Sequence, residues 1–319
     1  GLVNSVTEAS QANYYYLVFP IIGIFLTGIY VRYVVRDNIS HGVTRVLYAI
    51  AQKKSRLKFY NMYASLASSS VTIGCGAEGP IVFTGAAIGS NLGQAFRLSP
   101  HMLMMLVGCG AAAGIAGIFK APIAGVLFTV EVLMLDLTAG SVMPLIMASV
   151  AGATVAYVFT GYNVEFFFTQ SEMFYTSRIP YVVLLGVFCG LVSVYFTKMI
   201  EVMERMFGRI SRPRYRFFLG SILLSVLIFV FPPLFGEGYE SINYLLNGHV
   251  EQIFNNSLFY GMRSSVGATL LLVGALCFMK VFATSATNGG GGVGGTSIIV
   301  CGVYGRFSFR LCSQFAGYC

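Results

Sequence analysis

Charge is what this chain has least of. Only 10% of its 319 residues are Asp, Glu, Lys or Arg, 56% are hydrophobic, and the mean hydropathy is +0.75. Soluble domains carry about 25% charge, so this composition excludes an ordinary water-soluble body. Metal-binding patterns are missing as well. The cysteines at 75, 109, 189, 277, 301, 312 and 319 form no Cys-x-x-Cys pair, and His41, His101 and His249 stand far apart. No metal site and no cofactor is expected. Most of the cysteines fall in apolar stretches, where a thiol behaves as a small hydrophobe. An intramembrane enzyme would need paired aspartates, a Ser–His pair or His-Glu-x-x-His within the apolar tracts. None is found, and the chain is not expected to be an enzyme.

What the chain has in abundance is apolar length. Apolar tracts recur at about 14–35, 64–96, 102–119, 121–135, 142–160, 182–196, 217–235 and 266–286. A transmembrane helix takes about 20 apolar residues, so several tracts cross a bilayer fully while others are short or broken. The 37 glycines suit close helix contacts and interrupted helices alike. No separate soluble domain is visible, and residues 1–319 read as one all-α, multi-pass membrane domain.

The net charge of +8 is unevenly placed. Arg32, Arg36, Arg45, Lys53, Lys54, Arg56 and Lys58 crowd a first polar loop; Lys198, Arg205, Arg209, Arg212, Arg214 and Arg216 crowd a second. Basic loops remain on the cytoplasmic side and meet anionic headgroups, which makes membrane lipid an expected partner. Both runs abut the membrane and lack interleaved aromatics, so nucleic acid is not expected.

Against this background one acid stands out. Glu78 is the only carboxylate or ammonium between residues 64 and 95. An acid at bilayer depth costs about 2.5–3.5 kcal/mol on insertion scales, so it needs a cavity, a partner or a function. Glycines at 74, 76 and 79 break a preceding helix, and Pro80 suits the first turn of a new one. Glu78 is therefore expected beside the open N–H groups of a helix that begins inside the membrane. Such an end favours an anion: the carboxylate itself, or whatever replaces it.

Residues 288–296, Asn-Gly-Gly-Gly-Gly-Val-Gly-Gly-Thr, echo this motif after a second apolar tract. No Gly-Lys-Ser/Thr follows, which excludes the usual phosphate loop. Paired glycine-broken segments point to a transporter whose binding site lies where the broken helices meet; a plain interhelical loop is the alternative. Residues 108–125 are built mostly of small side chains that let backbones approach. Lys120-Ala121-Pro122 marks a break there, followed by Glu131 and Asp136, which read either as solvated helix-end acids or as a proton path.

Read in order, Gly-x-Gly before Glu78-Gly79-Pro80, then Gly-Ala-Ala-Ala-Gly-x-Ala-x-x-Phe-x-Ala-Pro-x-Ala-Gly-x-x-Phe-x-x-Glu over 110–131, strongly resembles the CLC family of chloride channels and chloride/proton exchangers. Gly236-Glu237-Gly238-Tyr239 and Gly294-Gly295-Thr296 add to the likeness, which covers residues 14–310. The resemblance implies a homodimer of all-helical subunits, built from broken, tilted helices in inverted-topology repeats. Each subunit would hold its own anion path, with the subunit contact near residues 121–150. It also implies a bacterial plasma-membrane protein whose partner is chloride or a similar halide. Glu78 would be the gate, occupying an anion position when ionised and leaving it on protonation or chloride competition. Anion-binding positions implied by the motifs are Ser40, His41, Gly42, Gly76, Ala77, Gly79, Gly295 and Thr296.

Departures from the family pattern carry their own expectations. His41 stands where a serine hydroxyl usually meets the ion; it could donate an N–H to chloride or only to backbone. Proton-coupled relatives carry an inner glutamate directly after the acid of Phe-x-x-Glu, and here that position is Val132. A valine cannot relay protons, so passive chloride conduction, of the kind called voltage-gated, is the leading reading and chloride/proton exchange the alternative. The resemblance further implies helices before Gly1 and after Cys319, including one bearing a pore tyrosine. It also implies missing residues near 74–75 and 296–297.

Overall fold

The computed structural model describes residues 14–35, 46, 48–50, 56–72, 76–133, 139–161, 179–210, 212–236, 238–262 and 265–294. The described residues are helical and form no strand. Helix α1 spans Tyr15–Tyr30, α2 Asn61–Val71, α3 Glu78–Ala95, α4 Pro100–Phe119 and α5 Pro122–Val132. They are followed by α6 at Ala139–Thr160, α7 at Ile179–Gly208, α8 at Pro213–Val230, α9 at Tyr239–Leu246 and α10 at Val266–Gly289. Five stretches, Tyr15–Val35, Pro100–Phe119, Gly140–Thr160, Val182–Gly208 and Gly267–Gly289, are long and apolar enough to cross a membrane. The chain is thus a multi-pass, all-α membrane protein whose remaining helices are shorter or interrupted, as its apolar tracts predict.

Local chemistry sets the breaks. Ser99 accepts the Met102 N–H at 3.5 Å and Pro100 fills the first helical position, a standard start for α4. The same helix stops at Lys120, whose left-handed φ of 51° directs the chain out before Pro122 opens α5. Helix α7 runs to 30 residues, longer than a bilayer requires. Its last turns carry Glu201 and Arg205, paired at 3.3 Å on an exposed face. Lys198 and Arg205 therefore ride on α7, and Arg214 and Arg216 on the first turn of α8, where the sequence predicts a loop. The reason is that helix continues past the lipid as long as its charges meet water and one another.

The described residues form three apolar clusters, a small one of Val35, Ala64 and Val293 and two larger ones. The first of the larger pair joins α3–α6 through Val82, Phe83, Val107, Ala111, Ile115 and Leu145. The second joins α1 with α7–α10 through Ile24, Val192, Leu224, Ile228, Leu272 and Leu276. Small residues decide the closest crossing. A Cβ at Gly85 would fall onto the Gly110 carbonyl, one at Gly110 onto the Gly85 carbonyl, and one at Gly89 onto Leu106. Backbones therefore touch along α3 and α4, where lipid-solvated helices gain van der Waals contact. Outward faces are apolar too: Ile123, Phe159 and Leu271 are at least 75% exposed, as expected of side chains meant for lipid.

Candidate functional site

Glu78 and Tyr239 meet between the two larger clusters. Helix α2 ends at Val71, Thr72 turns extended with ψ 128°, and α3 starts at Glu78. The expected break in the 64–96 tract is present, and Gly79 and Pro80 lie just inside the first turn of α3. Gly76, Glu78, Gly79 and Pro80 are buried, and Ala77 stands at the N-cap with no side chain to satisfy the first amides. A helix start of this kind favours an anionic group through the amides of its first residues, here Glu78 and Gly79.

Glu78 is 7% exposed. Its Oε1 accepts the hydroxyl of Tyr239 at 2.7 Å. Its Oε2 is buried and has no hydrogen-bond partner. A buried acceptor left bare costs about 1–3 kcal/mol, so this carboxylate rests in a half-satisfied state.

Tyr239 reaches Glu78 because of the turn before it. Gly236 and Gly238 adopt φ of 70° and 80°, a region that side-chain-bearing residues avoid, and the turn delivers Tyr239 as the first residue of α9. Lys280, fully buried in the middle of α10, donates to the Gly236 carbonyl at 3.1 Å and ties the turn down. From the first cluster, the Phe119 ring meets the Tyr239 ring edge-on, with centroids 6.3 Å apart. Sequence reasoning noted Tyr239 only as part of a motif and passed over Lys280. An ammonium inside the apolar tract 266–286 was the available signal.

The second glycine-rich turn meets the first. Val293 N–H donates to the Thr72 hydroxyl at 3.3 Å, Thr72 donates to the Ser68 carbonyl at 2.9 Å, and Thr27 lies 2.9 Å from Thr72. Gly292 is packed so tightly that a Cβ there would come within 2.9 Å of Thr72 Cγ2. The end of α10 and the chain leading to Glu78 are therefore adjacent.

Other predicted positions divide clearly. Ser40, His41, Gly42, Gly295 and Thr296 lie outside the described residues, as does Asp136. Val132 is the last residue of α5. Glu131 is exposed beside it. Arg32 of the first basic region and Arg214 and Arg216 of the second line one cavity of about 810 Å³, with Glu204 and the Gly289–Gly292 turn. No group of His, Cys, Asp and Glu among the described residues could hold a metal.

The family model described as "Voltage gated chloride channel" matches residues 23–316. A ClcB-like protein of Ralstonia nicotianae is 28% identical over 297 residues, covering 90% of this chain and 65% of that protein. The H(+)/Cl(-) exchange transporter ClcA of Vibrio cholerae is 30% identical over 240 residues, covering 69% of this chain and 51% of that one. Among solved structures, a slow cyanobacterial Cl-/H+ antiporter superposes with a TM-score of 0.76 at 18% identity, over 95% of this chain and 69% of that chain. That likeness is one of fold. The chain spans roughly half to two thirds of the length of these two curated relatives.

Proposed function

The chain belongs to the voltage gated chloride channel (CLC) family, and from that premise we propose that it passes chloride across a plasma membrane along a path closed by Glu78. The observation that carries the reading is the buried, half-satisfied carboxylate at the start of α3. An ionised carboxylate there holds the place that a chloride ion would take beside the open amides. Protonation removes its charge, and chloride at high concentration competes for the same berth, so either opens the path. Gly76, Ala77 and Gly79 supply backbone to that berth. Ser40, His41, Gly42, Gly295 and Thr296 are the further anion positions that the family motifs suggest, and a homodimer with one path per subunit is the assembly that goes with them.

Passive conduction is favoured by Val132, which puts an aliphatic side chain where coupled relatives carry an acid. Exchange is the second reading, supported by the exchanger name of the Vibrio cholerae relative. A reversal potential that ignores a pH gradient speaks for conduction, and one that moves with it speaks for exchange.

The test of the gate is chloride efflux from liposomes holding the full-length protein, followed from pH 4.5 to pH 7.5 for wild type and Glu78→Gln. Wild-type efflux should rise as pH falls, and the variant should be open and flat. A variant that keeps the wild-type pH profile rejects Glu78 as gate.

A further inference from the structure

We infer that Tyr239 is the positioning residue of this gate: its hydroxyl latches the Glu78 carboxylate in the closed place and turns to the anion once the carboxylate leaves. This rests on Glu78 being the gate and adds the group that sets when it opens. Three observations point the same way. The Tyr239 hydroxyl is 2.7 Å from Oε1, while Oε2 has no partner, so one bond from one side chain holds the acid. The phenol is aimed rather than loose, because the Phe119 ring backs it and the Gly236–Gly238 turn beneath it is tied to buried Lys280. The two residues also begin different helices in different apolar clusters, so the latch spans the seam that an anion must enter.

The chemistry suits both roles. A phenol donates to a carboxylate or to a halide through the same O–H, and needs no change of charge to pass from one to the other. A charge-assisted bond from the phenol strengthens the hold of the closed place, so its loss should let the gate open more readily. Among the described residues, the charged and titratable groups of the neighbouring helices have these contacts and exposures. Helix α2, packed on α3, carries Tyr63 as its only titratable residue, and that side chain is exposed. Helix α4 brings Lys120, whose ammonium donates to the Gly161 carbonyl at 2.8 Å and lies over the Tyr157 ring. Helix α9 brings Glu240, which is exposed, and α10 brings Lys280, which donates to Gly236.

The test is Tyr239→Phe, which keeps the ring against Phe119 and removes only the hydroxyl. In the full-length protein in liposomes, the midpoint of its efflux–pH profile should move to higher pH by about one unit, the shift expected for losing one hydrogen bond to a charged acceptor. In the Glu78→Gln background the profile should remain flat, and Tyr239→Phe should raise the half-saturating chloride concentration severalfold. A Tyr239→Phe profile that superposes on wild type overturns the latch. So does a pH shift that persists when Glu78 is Gln, because a general loosening would not depend on the carboxylate. If Glu78→Gln alone keeps its pH dependence, the gate reading fails first. If Glu78→Gln is flat and Tyr239→Phe is unshifted, only the latch fails.

Discussion

The hydroxyl of Tyr239 donates to Oε1 of Glu78 at 2.7 Å, joining the first residues of two helices that lie 161 positions apart in the chain. The bond links α3, packed in one apolar cluster, with α9, packed in another.

On the proposed gate, competition between carboxylate and chloride would link the two variables that open the path. Raising chloride would then displace the ionised form, so the gate would open at higher pH. Efflux profiles taken at low and high chloride should differ, with the high-chloride midpoint on the alkaline side. Coincident midpoints would contradict competition for one berth.

Thr72 couples the two glycine-rich turns. Thr72→Val leaves the buried Val293 N–H without its acceptor, which costs about 1–3 kcal/mol. A lowered melting temperature in detergent and faster amide exchange at residues 290–293 are expected. Unchanged exchange there would show that the turn is held by other contacts.

The α3–α4 crossing makes a contrast between glycines. Gly110→Ala drives a Cβ into backbone that cannot move aside, and should cost about 1–3 kcal/mol or more. Gly186→Ala and Gly190→Ala on α7 meet nothing within 4 Å and should stabilise by roughly 0.5–1 kcal/mol through helix propensity. Thermal melts of the three variants check both signs.

Lys120 closes the end of α4 through two bonds, its ammonium to the Gly161 carbonyl at 2.8 Å and its own carbonyl from the Tyr157 hydroxyl at 3.1 Å. Tyr157→Phe removes one neutral bond and should cost about 1 kcal/mol. Lys120→Ala removes the charged donor as well as the ring contact and should cost more. The reverse order in chemical denaturation would contradict this arrangement.

Glycine and proline made the breaks legible in sequence. The interruption before Glu78, the stop at Lys120 and the turn after Gly289 each coincide with clustered glycines or a following proline, which weaken or end a helix. Membrane residence followed from hydropathy alone. The partner of Glu78 did not, because contact between residues 78 and 239 depends on how two apolar clusters dock, and no local pattern encodes that. Lys280 was hidden for a related reason: its tract is apolar enough to read as a plain span, and only the fold shows that its ammonium serves the turn before Tyr239. Short α9, eight residues long, was missed because it is too brief and too polar to register as a span.

Bromide anomalous scattering tests the central claim most directly, since it places a halide without reference to flux. Crystals of Glu78→Ala soaked in bromide should give a peak at the start of α3, where the carboxylate stood, next to the Tyr239 hydroxyl; wild-type crystals at pH 7.5 should give a much weaker one. An empty α3 start in the variant, or equal peaks in both, would contradict an acid and an anion sharing one berth.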